Sequence, residues 1–255
     1  GDISSLVEFQ VQNPQATPVQ AIYQYYNRAP FVIIGRKDRG ITTDFASLQG
    51  KKVAAAAVES TRRCWTMVAR QLGTPQDLFQ WVTTDFSARD NVVVRGDVDA
   101  ATYFHDSAVS LFARLPQQDL SVLEYAKTGL NLYGNAVLAS SRLIAEKPAA
   151  LRGFLAASNR ALKETLADPE PALAAIKARE GILNLDVERA RWAITRQYLA
   201  TAENRELGLG ALRPDILQHQ IDEVAAVFGL NSKPTVGQVF HSGLLPAAAQ
   251  RQVNA

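Results

Sequence analysis

The stretch YYNRAPFVIIGRKDRG, residues 25–40, decides how this chain is read. Two tyrosines, an Asn and an Arg stand directly in front of FVIIGR, whose β-branched and aromatic residues predict a strand over 31–36. A second strand-like run, VQAIYQYY at 19–26, precedes it, with a proline-containing break between the two. A polar, aromatic cluster placed between two strands needs a structural reason.

Working outward, the polar turn DRGITTDFASLQG leads to KKVAAAAV, a short apolar strand, and then to STRRCWTMVARQLG. In the latter, Trp65, Val68, Ala69 and Leu72 share one helical face and Gly73 marks a stop. The unit repeats. FQWVTT predicts a strand, SARDNVVVRG a helix, DAATYF a strand, and DSAVSLFARL another helix. LSVLEYA and LYGNAVLAS predict strands, after which the pattern changes to long helices. Residues 148–166 carry Leu151, Phe154, Leu155, Leu162 and Leu166 at helical spacing, and Asp168-Pro169 ends that run. Further helices are expected at 169–178, 186–201 and 214–228. Alternating units followed by helices argue for an α/β fold, and no internal repeat points to a solenoid.

Composition excludes several classes. The 255 residues are 47% hydrophobic and 20% charged, which is ordinary globular material sufficient for one large domain or two modest ones. The net charge is +2, with basic and acidic residues interspersed, so no basic stripe predicts nucleic-acid binding. The one cysteine, Cys64, permits no internal disulfide, and its small apolar neighbours predict a buried filler. No apolar run reaches the roughly 18–20 residues that span a bilayer. The first residue is Gly, so any signal peptide is expected upstream of this chain.

Two stretches have a chemical reading. VESTRRC, residues 58–64, sits at a strand-to-helix turn, where unpartnered N–H groups and the helix dipole suit an anion or a polar acceptor and Ser60 or Thr61 can cap. In open α/β sheets ligands sit beyond the carboxyl ends of strands. That rule puts Asp85 and Phe86 of TTDFSARD, and Tyr103, Phe104, His105 and Asp106 of ATYFHDS, at a cleft mouth. Aromatic faces stack on flat rings and Asp accepts from amines. His105 alone reads more simply as a surface or capping residue. His219 and His241 have no companions at ligand spacing, so neither a metal nor a cofactor is expected.

The run YYNRAPFVIIGRKDRGI…FASLQGKKVAAAAVES…VRGDVDAATYF…LYGNAVLASSRLIAEKPAALRGFLAA resembles the solute-binding proteins of ABC importers for nitrate, sulfonates, taurine and thiamine-pyrimidine precursors. The resemblance covers residues 19–230, and the order and spacing of the pieces carry it. It implies a two-lobed periplasmic-binding-protein fold with residues 1–34 plus 133–255 in one lobe and 35–132 in the other. Members of that family carry a secretion signal and then a strand, a helix and a strand before the segment matching GDISSLVEF, so the first lobe is expected to lack its N-terminal units. YYNRAP and LYGNAV would be the crossings between lobes. Tyr25, Tyr26, Asn27, Arg28, Tyr133, Gly134 and Asn135 would then line the ligand cleft. The sulfonate and nitrate members begin the turn before the second-lobe helix with Gly-Ser; here Glu59 stands at the glycine position and would repel an anion while accepting from an amine.

The resemblance therefore implies an extracytoplasmic, periplasmic or lipid-anchored protein. Such a protein would capture a small organic ligand by lobe closure, without catalysis, and deliver it to a permease with an ATPase partner. Glu59 and the aromatics favour a pyrimidine-like or other amine-bearing ring. The alternatives are an anion binder of the same family, an enzyme resembling the thiamine-pyrimidine synthase of the same fold, whose cysteine-rich motif is absent here, and the effector-sensing domain of a transcription regulator.

Overall fold

The computed structural model describes residues 1–253. In chain order the elements are α1 (Ile3–Gln12), β1 (Val19–Gln24), β2 (Phe31–Arg36), β3 (Lys52–Ala55), α2 (Ser60–Leu72), β4 (Gln80–Thr83), α3 (Arg89–Arg95), β5 (Ala100–Phe104), α4 (Val109–Phe112), β6 (Leu120–Glu124) and β7 (Ala136–Ser140). Eight α-helices follow among the described residues: α5 (Ser141–Glu146), α6 (Pro148–Ala167), α7 (Glu170–Arg179), α8 (Leu185–Leu199), α9 (Ala202–Leu207), α10 (Pro214–Phe228), α11 (Val236–Val239) and α12 (Ala248–Arg251). None of the described helices is long and apolar enough to cross a membrane. The chain divides into two compact units, one of Gly1–Ala29 with the chain from Asn131 onward, the other the continuous Pro30–Leu130.

The continuous unit is a five-stranded mixed sheet in the order β4-β3-β5-β2-β6. β3 runs parallel to β4 and β5, whereas β2 runs antiparallel to both β5 and β6. Strand alternation sorts β2 into two faces. Val32 and Ile34 pack with Val93 of α3, Tyr103, Leu111 and Leu120 in one buried cluster. Phe31 points the other way, toward Phe104 at 5.3 Å and Tyr125 at 6.4 Å between ring centroids. There Trp65 of α2 meets Phe45, Phe79 and Tyr125 and is 2% exposed. Burying such a side chain contributes about 1.5–3 kcal/mol, so this aromatic cluster fixes α2 against the sheet. Cys64 is buried on the same helix. Gly73 ends α2 in the left-handed conformation, φ 66°, its N–H bonding the Arg70 carbonyl while the next N–H reaches Ala69.

The discontinuous unit pairs β1 with β7 antiparallel, Val19 opposite Ser140, with a register irregularity between Ala21 and Tyr23. Its core joins Ile22 and Tyr26 to Leu155 and Leu166 of α6, Tyr198 and Leu199 of α8, and Leu209. α1 packs on α10. Buried Gln220 of α10 ties this packing to the strand side, donating to Ser4 Oγ (2.9 Å) and the Tyr133 carbonyl (3.1 Å) and accepting from the Tyr133 N–H (2.8 Å). Gly210, φ 80°, lies so close under the Tyr23 ring that a Cβ there would run into it.

Several expected bounds change. A break at 34/35 would cut β2, which is hydrogen-bonded on both edges and so belongs wholly to the continuous unit; the divisions fall at Ala29/Pro30 and Leu130/Asn131. The strand expected over 132–140 is regular only from Ala136, because residues before it bond to the 24–29 segment instead of to a ladder. The helix expected in DSAVSLFARL divides into a 3₁₀ turn, His105–Ala108, and the single turn α4. α1 has no counterpart among the expected elements; Asp2 caps it by accepting from the Ser5 N–H at 3.0 Å.

Candidate functional site

In the continuous unit the chemistry-bearing side chains gather at the carboxyl ends of β3, β4 and β5. The turn after β3 is closed by Glu59, which also opens α2. It is 4% exposed, and its carboxylate is fully engaged. Oε2 accepts from Thr102 Oγ1 (2.7 Å) and the Ala56 N–H (3.2 Å), and Oε1 accepts from Arg89 Nη1 (3.0 Å). Burial pushes the Glu59 carboxyl above its usual range, while Arg89 and the hydrogen bonds oppose that rise. Arg89, 6% exposed, lies with its guanidinium carbon 4.1 Å from the Tyr103 ring centroid and 5.4 Å from that of Phe86. Tyr103 donates its hydroxyl to Asp90 Oδ1 at 2.8 Å, and burial with that neighbouring carboxylate raises the phenol.

The expected acceptor role of Glu59 toward an amine is therefore corrected: the carboxylate is enclosed by the protein's own donors. Its neutralising partner is Arg89. Arg62 instead donates to Thr83 Oγ1 at 3.0 Å and lies over Trp81. Thr61 does not cap α2; its hydroxyl donates to the Tyr103 carbonyl (3.3 Å), and its own carbonyl accepts from Tyr125 (3.0 Å). Ser60 is half-buried at the first position of the helix. Tyr103 is sheet core and presents no open ring. Asp85 and Phe86 are exposed, Phe86 at 59%, whereas Phe104, His105 and Asp106 are half-buried at the end of β5. Burial lowers the His105 imidazole, with Glu124 and Asp106 opposing. Among the described residues no three His, Cys, Asp or Glu side chains converge as metal ligands.

In the discontinuous unit the two expected crossing segments lie side by side. The N–H groups of Tyr25 and Tyr26 both donate to the Asn135 carbonyl (3.2 and 3.0 Å), and the Gly134 N–H donates to the Tyr26 carbonyl (2.9 Å). Buried Gln24 clamps the pair, its Nε2 donating to the carbonyls of Tyr26 (2.6 Å), Gly134 and Asn135 (both 3.2 Å). The Tyr25 and Tyr26 rings meet edge to face at 4.8 Å, and Tyr26 turns inward onto Tyr198. Asn27 Oδ1 accepts from Thr201 at 2.9 Å, while its buried Nδ2 has no hydrogen-bond partner. Arg28 is exposed. Tyr133, expected in the ligand lining, is instead a core anchor: it is 1% exposed, donates to Glu203 Oε1 (2.6 Å) and accepts from the Arg213 N–H (2.8 Å). Burial raises Glu203, with the Tyr133 hydrogen bond opposing.

Sequence reasoning missed Arg89, Thr201 and Glu203. Arg89 had a signal, because a cation in the first turn of a helix opposes the helix dipole and needs a compensating partner. Thr201 and Glu203 had none, since only the fold brings α9 to the 27 and 133 positions.

A protein-family comparison matches residues 3–172 to the family described as NMT1/THI5 like. A search of curated proteins found no match. Among solved structures, the ligand-binding component of an ABC-type import system from Staphylococcus aureus, with zinc bound, aligns with a TM-score of 0.69 at 11% identity, over 98% of this chain and 79% of that one. The periplasmic aliphatic sulphonate-binding protein SsuA from Escherichia coli aligns with a TM-score of 0.68 at 19% identity, over 94% and 74% respectively. The desulfurization enzyme DSZB aligns with a TM-score of 0.60 at 15% identity, over 95% and 81%. At these identities the likeness is one of fold, the periplasmic-binding-protein fold, which hosts both transport components and an enzyme.

Proposed function

The chain belongs to the NMT1/THI5-like family, and from that premise we propose that it is the extracytoplasmic solute-binding component of an ABC importer. It captures a small organic solute by a conformational closure and hands it to a permease with an ATPase partner. The observation that carries the reading is the pairing of the two crossing segments. The chain leaves the discontinuous unit directly after Tyr25–Arg28 and returns directly before Tyr133–Asn135, and backbone bonds through Asn135 and Gly134 hold the two together. Tyr25, Tyr26, Gly134 and Asn135 are thereby held as one structure beside the points where the chain passes from one unit to the other.

Exposed Phe86 and half-buried Phe104 favour a flat ring. The amine expected on that ring loses its reason, since Glu59 is spent on Arg89, Thr102 and the Ala56 N–H. A second reading, an anion of the sulfonate, nitrate or taurine type at the start of α2, is favoured by one observation: the charge of Glu59 that argued against it is balanced by Arg89 at 3.0 Å. No chemistry is assigned; the one thiol, Cys64, is 1% exposed.

A thermal-shift screen of sulfonates, nitrate, pyrimidines and aromatic acids tests the reading. A ligand near 100 times its dissociation constant stabilises by about 2.7 kcal/mol, so the true class raises the midpoint in a concentration-dependent way. Absence of any such shift across the whole panel overturns solute capture.

A further inference from the structure

A guanidinium carries five N–H donors in one plane and accepts nothing. In Arg89, Nη1 is committed to Glu59 at 3.0 Å, and the carbon lies 4.1 Å from the Tyr103 ring centroid and 5.4 Å from that of Phe86. Nε is buried and has no hydrogen-bond partner. Around it, both Glu59 oxygens, the Thr102 hydroxyl and the Tyr103 hydroxyl are all bonded. A buried donor left unmade costs about 1–3 kcal/mol, and more on a charged group, so an orphan beside these bonded groups marks a place for an acceptor from outside the chain.

Two features say what kind of acceptor fits. The exposed group beside Arg89 is apolar: the Phe86 ring, 5.4 Å from the guanidinium carbon, is 59% exposed. The charge of Arg89 is already balanced by Glu59, and Asp90 adds a second carboxylate close by on Tyr103. An incoming anion would meet a site with no spare positive charge and would have to be desolvated against two carboxylates. A neutral acceptor avoids that cost. We infer that the Nε edge of Arg89, uncovered when the exposed Phe86 ring turns off the guanidinium, is a specificity-determining contact for a neutral, flat, carbonyl-bearing ring, whose face rests on Phe86 while its oxygen accepts from Nε. This rests on the solute-capture reading and deepens it, assigning recognition to the start of α3, not to the first turn of α2.

Benzamide, benzoate and benzylamine share a ring and differ in the group offered, which makes them suitable probes. In ¹⁵N-arginine-labelled full-length protein, the Arg89 Nε–H resonance is the one lost in Arg89→Lys. Benzamide moves that resonance on titration, benzoate binds at least tenfold more weakly, and benzylamine leaves the resonance in place. Arg89→Lys, which keeps the charge and lacks the edge, weakens benzamide at least tenfold while still unfolding cooperatively; Phe86→Ala weakens every ring probe. Should Arg89→Lys not fold, contacts between Nε–H and the Tyr103 ring identify the resonance in the unmodified protein. Benzamide that fails to bind, or that binds without moving this resonance, overturns the inference, as does benzoate binding tighter than benzamide. Capture of some other solute in the thermal-shift panel would leave the transport reading standing in each of those cases.

Discussion

Glu59 illustrates how burial changes what a carboxylate is for. Exposed at a helix start it would repel anions and attract amines; enclosed by Arg89, Thr102 and the Ala56 N–H, it closes the turn after β3 and holds a buried arginine in place. Removing one member of a buried pair leaves the other uncompensated, so Glu59→Ala destabilises by about 3–5 kcal/mol in urea unfolding, far beyond a surface substitution. The pH dependence has a definite sign. Burial holds the folded carboxyl above its usual 4.5, so the folded protein binds this proton more tightly than the unfolded chain does. The contribution of Glu59 to stability therefore falls as pH rises from about 4.5 to the folded value and is flat above it. Glu59→Gln cannot titrate. The wild-type minus variant difference in unfolding free energy declines across that window, and a difference that rises there would show Arg89 outweighing burial.

At the scale of elements, two glycines with positive φ separate conformational cost from collision. Gly73 ends α2 at φ 66° with open space where a Cβ would stand, so Gly73→Ala costs about 1 kcal/mol of backbone strain alone. Gly210 has φ 80° with the Tyr23 ring against it, so Gly210→Ala adds a packing clash and costs about 2–5 kcal/mol. Equal midpoints in chemical denaturation for the two variants would contradict the clash. The strand at Phe31–Arg36 and the helices at 60–72 and 214–228 were legible in the sequence because hydrophobic period and a Gly or Pro stop agree there. The division between units was misplaced because FVIIGR looks the same whether it ends one sheet or fills the middle of another; only pairing on both edges decides. In the candidate site, the residue types at the strand ends were legible, but the partners were not. That Thr102 and Arg89 would take Glu59 depends on β5 and α3 converging on the turn, a tertiary fact with no local signature.

At the scale of the molecule, the two units differ in how they are built from the chain. Residues 30–130 are continuous and hold a complete five-stranded sheet with its own aromatic cluster, enough for an independent core. Expressed alone, that fragment unfolds cooperatively and keeps slow amide exchange in β2 and β5. The segment from 131 onward, expressed alone, does not, since β7 lacks β1 and the Leu155–Tyr198 cluster lacks Ile22 and Tyr26. A native-like spectrum from the second fragment would show that β1 is dispensable.

The same connectivity has a mechanical meaning. β2 begins where β6 ends: Val32 pairs with Glu124, the last residue of β6, and both lie at the edge of the unit where the chain comes in and goes out. Tension drawn through residues 30 and 130 therefore loads the β2–β6 ladder one rung at a time, like a zipper, and not all rungs together. Gly1 and Val253 both belong to the other unit, so a pull on those two residues cannot reach this seam until that unit has given way. In an optical trap the continuous unit never opens first when the chain is held at residues 1 and 253. Held at 30 and 130 it peels apart at low force. The seam is sheltered by the order of the chain, whatever its intrinsic strength.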